Sequence, residues 1–270
     1  MIPYPFTYHR PGSLKEAEAL LASVPDAKLL AGGHTLIPAM KLRLANPAAL
    51  IDIARLPELS FIRREGDRVL IGAMTTHAEV ANSDVVRGSI PALARVAEEI
   101  GDPAVRHMGT LGGSVGNNDP AADYPAGVLG LGAAVRTNRR QIAADDFFTG
   151  MFSTALEEGE IVTAVDFPLP KRAGYVKFAN PASRYALVGV FVAETTNGIR
   201  VAVTGAGPCV FRVSEMEAAL ARSFTPDALA GIAIPVDGLN SDIHGSAEYR
   251  AHLITVVAKR TVAAALSSSP

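Results

Sequence analysis

The apolar positions of the first 170 residues recur at two spacings, which predict helices and short buried strands. Ser13 and Glu16 form a capping-box pair in front of apolar residues at helical spacing, and Thr76 and Glu79 form a second pair. Further helices are expected within residues 35–45, 90–100 and 125–131. Continuous apolar runs predict strands within residues 27–33, 49–56, 68–73 and 133–137. This mixture is typical of an α/β nucleotide-binding region.

The pattern changes after Pro168 and Pro170, which end a strand. Alternating positions predict three strands within residues 174–179, 186–195 and 198–207, followed by helices at 214–223 and 247–266. Asn197 and Gly198 predict a two-residue hairpin turn between the second and third of these strands. An antiparallel sheet with helices is an α+β pattern, so we place a domain boundary near residues 169–174.

Composition and charge exclude several classes of function. Of the 270 residues 49% are hydrophobic, the net charge is −2, and no long apolar run could span a membrane. The lack of a basic field disfavours binding to nucleic acid, and the histidines show no metal-ligand spacing. One cysteine, Cys209, cannot form an internal disulfide or hold an iron–sulfur cluster alone. We expect a soluble cytoplasmic protein that uses an organic cofactor or a partner's metal for any redox chemistry.

Two glycine pairs, Gly32-Gly33 and Gly112-Gly113, are the main candidates for binding chemistry. A glycine turn that leads into a helix can present several backbone N–H groups to an anion, because no Cβ blocks the approach. Neither pair belongs to a G-x-G-x-x-G or Walker sequence. Each pair alone is more often an ordinary tight turn. Together they predict that one pyrophosphate is held from two sides.

The longer segments around these pairs resemble a known family. Residues 31–53, "AGGHTLIPAMKLRLANPAALIDI", and 109–133, "GTLGGSVGNNDPAADYPAGVLGLGA", are similar to the two signature segments of the FAD-binding medium subunit of molybdenum hydroxylases. These are the carbon monoxide dehydrogenase and xanthine dehydrogenase relatives, within the wider vanillyl-alcohol-oxidase type. Residues 3–21 and 175–193 resemble the same family, so the resemblance covers the whole chain.

The resemblance implies an α+β fold with a two-part, PCMH-type FAD-binding domain at residues 1–170 and an α+β domain at 171–270. The first domain would divide into parts at about 1–55 and 56–170. The resemblance also implies the residues that contact FAD. They are Ala31, Gly32, Gly33, His34, Thr35 and Leu36 on one side of the pyrophosphate; Thr110, Gly112, Gly113 and Ser114 on the other; and Ile100, Asp123, Val162 and Lys177 along the rest of the cofactor.

Three of the candidate residues also have ordinary structural interpretations. Asp123 would bind ribityl or ribose hydroxyls, but it could also cap the helix that begins near Pro125. Lys177 would lie near the polar edge of the isoalloxazine, although a lysine in an alternating strand is usually solvated. Tyr185 could shield a face of the flavin or simply pack against the sheet.

The chain has no evident catalytic base, nucleophile or molybdenum ligand. The resemblance implies that substrate is oxidised at a molybdopterin in a large partner subunit and that electrons pass through two [2Fe-2S] clusters in a small one. FAD in this chain would pass them to an external acceptor, in a dimer of heterotrimers. A stand-alone FAD oxidoreductase and a non-catalytic dinucleotide-binding module are the alternatives. The substrate and the acceptor stay open.

Overall fold

The computed structural model describes residues 2–267, and its helices and strands follow in chain order. The helices are α1 Leu14–Ser23, α2 Leu36–Lys41, α3 His77–Asn82, α4 Asp84–Ser89, α5 Pro91–Glu98, α6 Pro103–Met108, α7 Leu111–Asn117, α8 Tyr124–Leu131, α9 Ala144–Phe147, α10 Ser214–Arg222 and α11 Ala247–Ser267. The strands are β1 Thr7–His9, β2 Ala27–Leu30, β3 Ala49–Asp52, β4 Ile62–Glu65, β5 Arg68–Gly72, β6 Ala134–Thr137, β7 Gln141–Ala143, β8 Phe148–Gly150, β9 Ser153–Thr154, β10 Val162–Pro168, β11 Arg172–Ala179, β12 Ala186–Thr195, β13 Gly198–Thr204 and β14 Phe211–Arg212.

The strands form three main sheets that differ in direction. A parallel sheet has the order β1-β3-β2, and a five-stranded antiparallel sheet has the order β4-β5-β10-β6-β7. A four-stranded antiparallel sheet, β11-β12-β13-β14, carries α11 against its first two strands. Strands β8 and β9 form a separate hairpin. The expected α+β architecture is confirmed.

The largest hydrophobic core joins the first two-thirds of the chain to the start of the last sheet. It includes Val135 and Phe167 from the five-stranded sheet together with Tyr175 and Phe191 from β11 and β12. A second core lies between the four-stranded sheet and α10 and α11. The domain boundary near residues 169–174 stays a prediction, since residues on both sides of it share one core.

Several local expectations are confirmed, with changes in detail. Thr76 and Glu79 form a complete capping box at the start of α3. Ser13 caps α1, but the carboxylate of Glu16 accepts from the backbone N–H of Gly12 instead of closing the box on Ser13. The predicted hairpin forms, but its turn is shifted by one residue. Gly198 pairs with Thr195 as the first residue of β13.

The second glycine pair differs more from expectation. Gly112 and Gly113 lie in the first turn of α7, and the element before them is helix α6. The pair is therefore part of a helix start. Among residues 2–267, no helix is long and apolar enough to cross a membrane, and no group of three metal-ligating side chains occurs.

Candidate cofactor site

A large open cleft runs between the parallel sheet and the five-stranded sheet. Its volume is about 1240 Å³, which is above the roughly 300–1,000 Å³ that is usual for drug-sized ligands. The cleft is lined by every predicted site residue except Lys177: Ala31, Gly32, Gly33, His34, Thr35, Leu36, Ile100, Thr110, Gly112, Gly113, Ser114, Asp123 and Val162. The fold thus brings together two segments that are eighty residues apart in sequence.

The two glycine segments contact each other directly at Gly32. A Cβ on this residue would lie 2.1 Å from the carbonyl oxygen of Met108 and 2.9 Å from the Cα of Gly109. Only glycine allows this approach, because a methyl group would have to push one backbone away from the other. Gly33 has a φ of +73°, which lets the chain turn from β2 into α2. Gly32 therefore joins the two sides of the cleft, and Gly33 turns the chain.

The second segment is fixed by its own helix start. Thr110 is the N-cap of α7, and its Oγ1 accepts a hydrogen bond of 3.1 Å from the N–H of Gly113. A Cβ on Gly112 would lie 2.5 Å from the Cβ of Ala73, so this glycine lets α7 pack closely on the end of β5. A Cβ on Gly116 would meet no atom outside its own helix within 4 Å. Gly116 lines the cleft, and its open side is available to a ligand.

Asp123 lies at the N-cap position of α8 without making a capping hydrogen bond. Its carboxylate accepts hydrogen bonds from the hydroxyl of Tyr175 and from Lys177, whose Nζ lies 2.9 Å from Oδ1. Lys177 also donates to the carbonyl oxygen of Glu99 at 2.7 Å. The capping interpretation of Asp123 is wrong, because its side chain makes no capping hydrogen bond. The interpretation of Lys177 as a solvated residue is also wrong, because its side chain is only 3% exposed.

The charge of Asp123 depends on this buried pair. Burial raises the pKa of Asp123 to about 6, although Lys177 and the hydrogen bond from Tyr175 act in the opposite direction. The carboxylate is therefore charged at pH 7 and presents an acceptor to the cleft. Lys177 lies behind Asp123, outside the lining of the cleft. A direct contact of Lys177 with the isoalloxazine stays a prediction.

His77 is a lining residue that the sequence analysis considered only as a metal ligand. The backbone N–H of His77 donates to the carbonyl oxygen of Gly109 at 2.9 Å. A Cβ on Gly109 would lie 2.5 Å from Nε2 of the His77 ring. Burial, together with smaller contributions from the nearby His34 and Arg106, lowers the pKa of His77 to about 4. The ring is neutral at pH 7, and its buried Nδ1 has no hydrogen-bond partner within residues 2–267. A neutral ring thus supports the contact between the two glycine segments.

The mouth of the cleft is formed by the loop between β11 and β12. Tyr185 is 49% exposed and lines the cleft, and its neighbour Arg184 has a φ of +63°. Arg184 Nη1 lies 3.4 Å from the carbonyl oxygen of Gly101, which also lines the cleft. The position of Tyr185 is compatible with shielding a bound ring, and that role stays a prediction.

These residues fit a dinucleotide cofactor. Gly113 and Gly116 leave parts of the cleft lining without side chains, and Thr35 and Ser114, which carry hydroxyl groups, also line the cleft. Phosphates need several donors without steric obstruction, and this lining offers both.

Comparison with protein families matches residues 4–170 to the FAD-binding domain in molybdopterin dehydrogenase. The chain belongs to this family. It is therefore an FAD-binding oxidoreductase chain, as the resemblance of its glycine segments implied. The family match explains why the glycine segments differ from the G-x-G-x-x-G pattern of a Rossmann domain.

Individual members of the family match along the whole chain. The carbon monoxide dehydrogenase medium chain of Hydrogenophaga pseudoflava is 38% identical, and the match covers 98% of each chain. The nicotine 6-hydroxylase medium subunit of Paenarthrobacter nicotinovorans is 38% identical over 94% of this chain and 95% of the relative. A solved chain of the Hydrogenophaga pseudoflava enzyme superposes with a TM-score of 0.90 and covers 100% of both chains. These FAD-binding relatives are subunits of larger enzymes.

Gly116 and His77 both line the cleft and were not among the predicted site residues, and the sequence contained a signal for Gly116 alone. Gly116 follows Gly112 and Gly113 at helical spacing, so a helix through this segment places all three glycines near one face. The role of His77 depends on its packing beneath Gly109, thirty-two residues later in the chain. No local pattern encodes that contact.

Proposed function

We propose that this chain is the FAD-carrying electron-transfer subunit of a heterotrimeric molybdenum hydroxylase. It takes electrons from [2Fe-2S] clusters of a small partner subunit and passes them through FAD to an external acceptor. Substrate is oxidised at the molybdopterin of a large partner subunit. The observation that carries the proposal is the cleft built by two glycine segments in contact, in a chain that matches medium subunits from end to end.

The two glycine segments hold the pyrophosphate of FAD in this proposal. Residues 31–36 bind it from the side of the parallel sheet, and Thr110, Gly112, Gly113 and Ser114 bind it from the start of α7. Asp123 accepts hydrogen bonds from cofactor hydroxyls, with Lys177 and Tyr175 holding its carboxylate in place. Ile100 and Val162 supply apolar contacts to the cofactor. FAD suits electron transfer between such partners because it exchanges electrons singly or in pairs.

The requirement for partner subunits follows from the side chains that the chain offers. A [2Fe-2S] cluster is held by four thiolates or by thiolates and imidazoles, and the chain has a single cysteine. Electrons from a cluster therefore cross a subunit boundary to reach this chain. The names of the two relatives, a medium chain and a medium subunit, support such an assembly. We infer a dimer of heterotrimers in the cytoplasm.

The substrate of the whole enzyme does not follow from this chain. The two relatives above belong to enzymes named for carbon monoxide and for nicotine, yet both are 38% identical to this chain. Their likeness to this chain is therefore independent of what the large subunit oxidises.

The test is to purify the chain alone and together with the products of its neighbouring genes. We expect flavin bands from the chain alone, and flavin, iron–sulfur absorbance and molybdenum from the co-purified complex. A chain that takes no partner and turns over an organic substrate by itself would instead be a stand-alone oxidoreductase. A chain that retains no FAD would be a non-catalytic module.

A further inference from the structure

A second cavity lies beside the cleft and shares Ser183 and Tyr185 with it. We call it the side cavity; its volume is about 240 Å³. Its lining includes Ala121, Asn180, Leu187, Asp242, His244 and Arg250. We propose that the side cavity binds the ring of the external electron acceptor, a neutral planar ring that carries carbonyl oxygens. This inference rests on the proposed function.

Arg250 builds the inner wall of the side cavity. The residue is only 3% exposed, and its Nη1 donates to the carbonyl oxygens of Leu187 at 2.7 Å and Gly205 at 3.0 Å. Its Nη2 donates to Oδ2 of Asp242 at 2.7 Å. The one buried cation of the cavity is thus paired with the one lining carboxylate, and this balance favours an uncharged ligand over an ionic one.

The rim of the side cavity presents hydrogen-bond donors. Asn180 Oδ1 accepts from the N–H groups of Ala182 at 2.9 Å and Ser183 at 3.1 Å, which fixes the orientation of its amide. Its Nδ2 therefore faces Nδ1 of His244, 3.2 Å away, and donates to it. Because Nδ1 accepts, the neutral His244 ring carries its proton on Nε2. The Nε2–H of His244 is therefore the hydrogen-bond donor of this ring.

These features select a class of ligand. A volume of about 240 Å³ is below the range for drug-sized ligands and holds a single substituted ring. Amide and imidazole N–H groups recognise carbonyl oxygens, while Leu187 and Ala186 contact the face of a ring. Quinones have this chemistry, and a quinone that takes two electrons from reduced FAD and two protons from solvent becomes a hydroquinone. Tyr185 separates such a ring from the main cleft, where we place the flavin.

The experiment uses the full chain loaded with FAD and one probe, duroquinone. The four methyl groups of duroquinone prevent addition of the Cys209 thiol. Binding is measured by saturation-transfer difference NMR titration, and FAD content is measured by absorbance. Two variants alter the cavity. His244→Leu removes the donor from an exposed position, and Ala121→Leu fills the cavity. His252→Leu is the control, since His252 is exposed and lines neither cavity.

We expect the wild type to bind duroquinone, and we expect both cavity variants to weaken that binding at least tenfold at unchanged FAD content. His252→Leu should bind duroquinone like the wild type. Failure of the wild type to bind duroquinone, or undiminished binding in either cavity variant, overturns the side-cavity proposal while FAD is retained. Loss of FAD from the wild-type chain would instead overturn the proposed function.

Discussion

Asp123 and Lys177 form an ion pair that is almost completely removed from solvent. Their side chains are 5% and 3% exposed. Removal of one member leaves the other as an unpaired buried charge, which usually costs about 3–5 kcal/mol. We therefore expect Lys177→Met to lower the free energy of unfolding by about 3–5 kcal/mol in urea titrations at pH 7.

Lys171→Met is the matched control for that substitution. Lys171 pairs with Glu194 at 3.2 Å, but its side chain is 69% exposed. Exposed pairs contribute about 1 kcal/mol or less, so this variant should stay near the wild type. Equal losses in the two lysine variants would contradict a special role for the buried pair.

The depressed pKa of His77 predicts a pH dependence of stability. The imidazole titrates near 6.5 in an unfolded chain and at about 4 in the folded one. Between these pH values the unfolded chain holds more protons, so falling pH favours unfolding. The full contribution is present above pH 6.5, and about 3 kcal/mol is lost by pH 4, since one pKa unit corresponds to about 1.4 kcal/mol.

The measurement compares the urea-unfolding free energy of the wild type and of His77→Asn from pH 7.5 to pH 4. The difference isolates His77, because Asp123 and all other groups titrate in both proteins. The variant should lose less stability on acidification than the wild type. His252→Asn, an exposed histidine change, should keep the wild-type slope. Parallel pH profiles for the wild type and His77→Asn would show that His77 is not buried as a neutral ring.

A substitution at Gly116 distinguishes an effect on FAD binding from an effect on folding. A Cβ added at this position would meet no atom outside α7 within 4 Å. The Gly116→Ala variant should therefore fold without a steric clash when FAD is absent. A helical glycine costs about 0.5–1 kcal/mol relative to alanine, and the apo variant should gain that much stability. If FAD lies against this wall, the same methyl group weakens FAD binding by at least tenfold.

Gly88→Ala is the control for Gly116→Ala. Gly88 lies in α4, it also has no neighbour within 4 Å, and it does not line the cleft. This variant should gain apo stability and retain FAD normally. Apo stability is measured by urea unfolding, and FAD binding by equilibrium dialysis. Unchanged FAD affinity in Gly116→Ala would place the cofactor away from α7.

At the scale of elements, periodic apolar spacing predicted most of the helices and strands that build the cleft. It was less informative where glycine is common. The run from Leu111 to Asn117 forms helix α7 although it contains three glycines, because Thr110 caps it and Gly112 packs on Ala73. The contact with Ala73 is tertiary, and helix propensity alone favours a turn there. The sequence therefore predicted a turn at Gly112 and Gly113, whereas the structure has the first turn of a helix there.

The surroundings of Asp123 show which information the sequence lacked. Its position before α8 suggested a helix cap, because local patterns report only nearby residues. Its actual partners, Tyr175 and Lys177, lie more than fifty residues later and alternate along one face of β11. Only the packing of β11 against α5, and of α8 against the neighbouring strands β12 and β13, brings these groups together.

At the scale of the molecule, the part of the chain before residue 170 and the part after it both contribute residues to the cleft and its supporting contacts. The last sheet supplies Tyr175 and Lys177 to the buried carboxylate, and the loop between β11 and β12 supplies Tyr185 to the mouth. The shared core through Phe167 and Phe191 holds the sheet that carries them. We therefore expect FAD binding to need both parts of the chain, beyond the residues 4–170 that match the family.

The last prediction concerns the route of electrons into the whole molecule. The single cysteine cannot hold a cluster, so the isolated chain has no path from a molybdenum centre to its flavin. Substrate of the whole enzyme should bleach the flavin band near 450 nm in the co-purified complex within seconds and leave the FAD-loaded chain alone unchanged. Dithionite should bleach both samples, which shows that each flavin can be reduced. Bleaching of the isolated chain by substrate would mean that this chain oxidises the substrate itself.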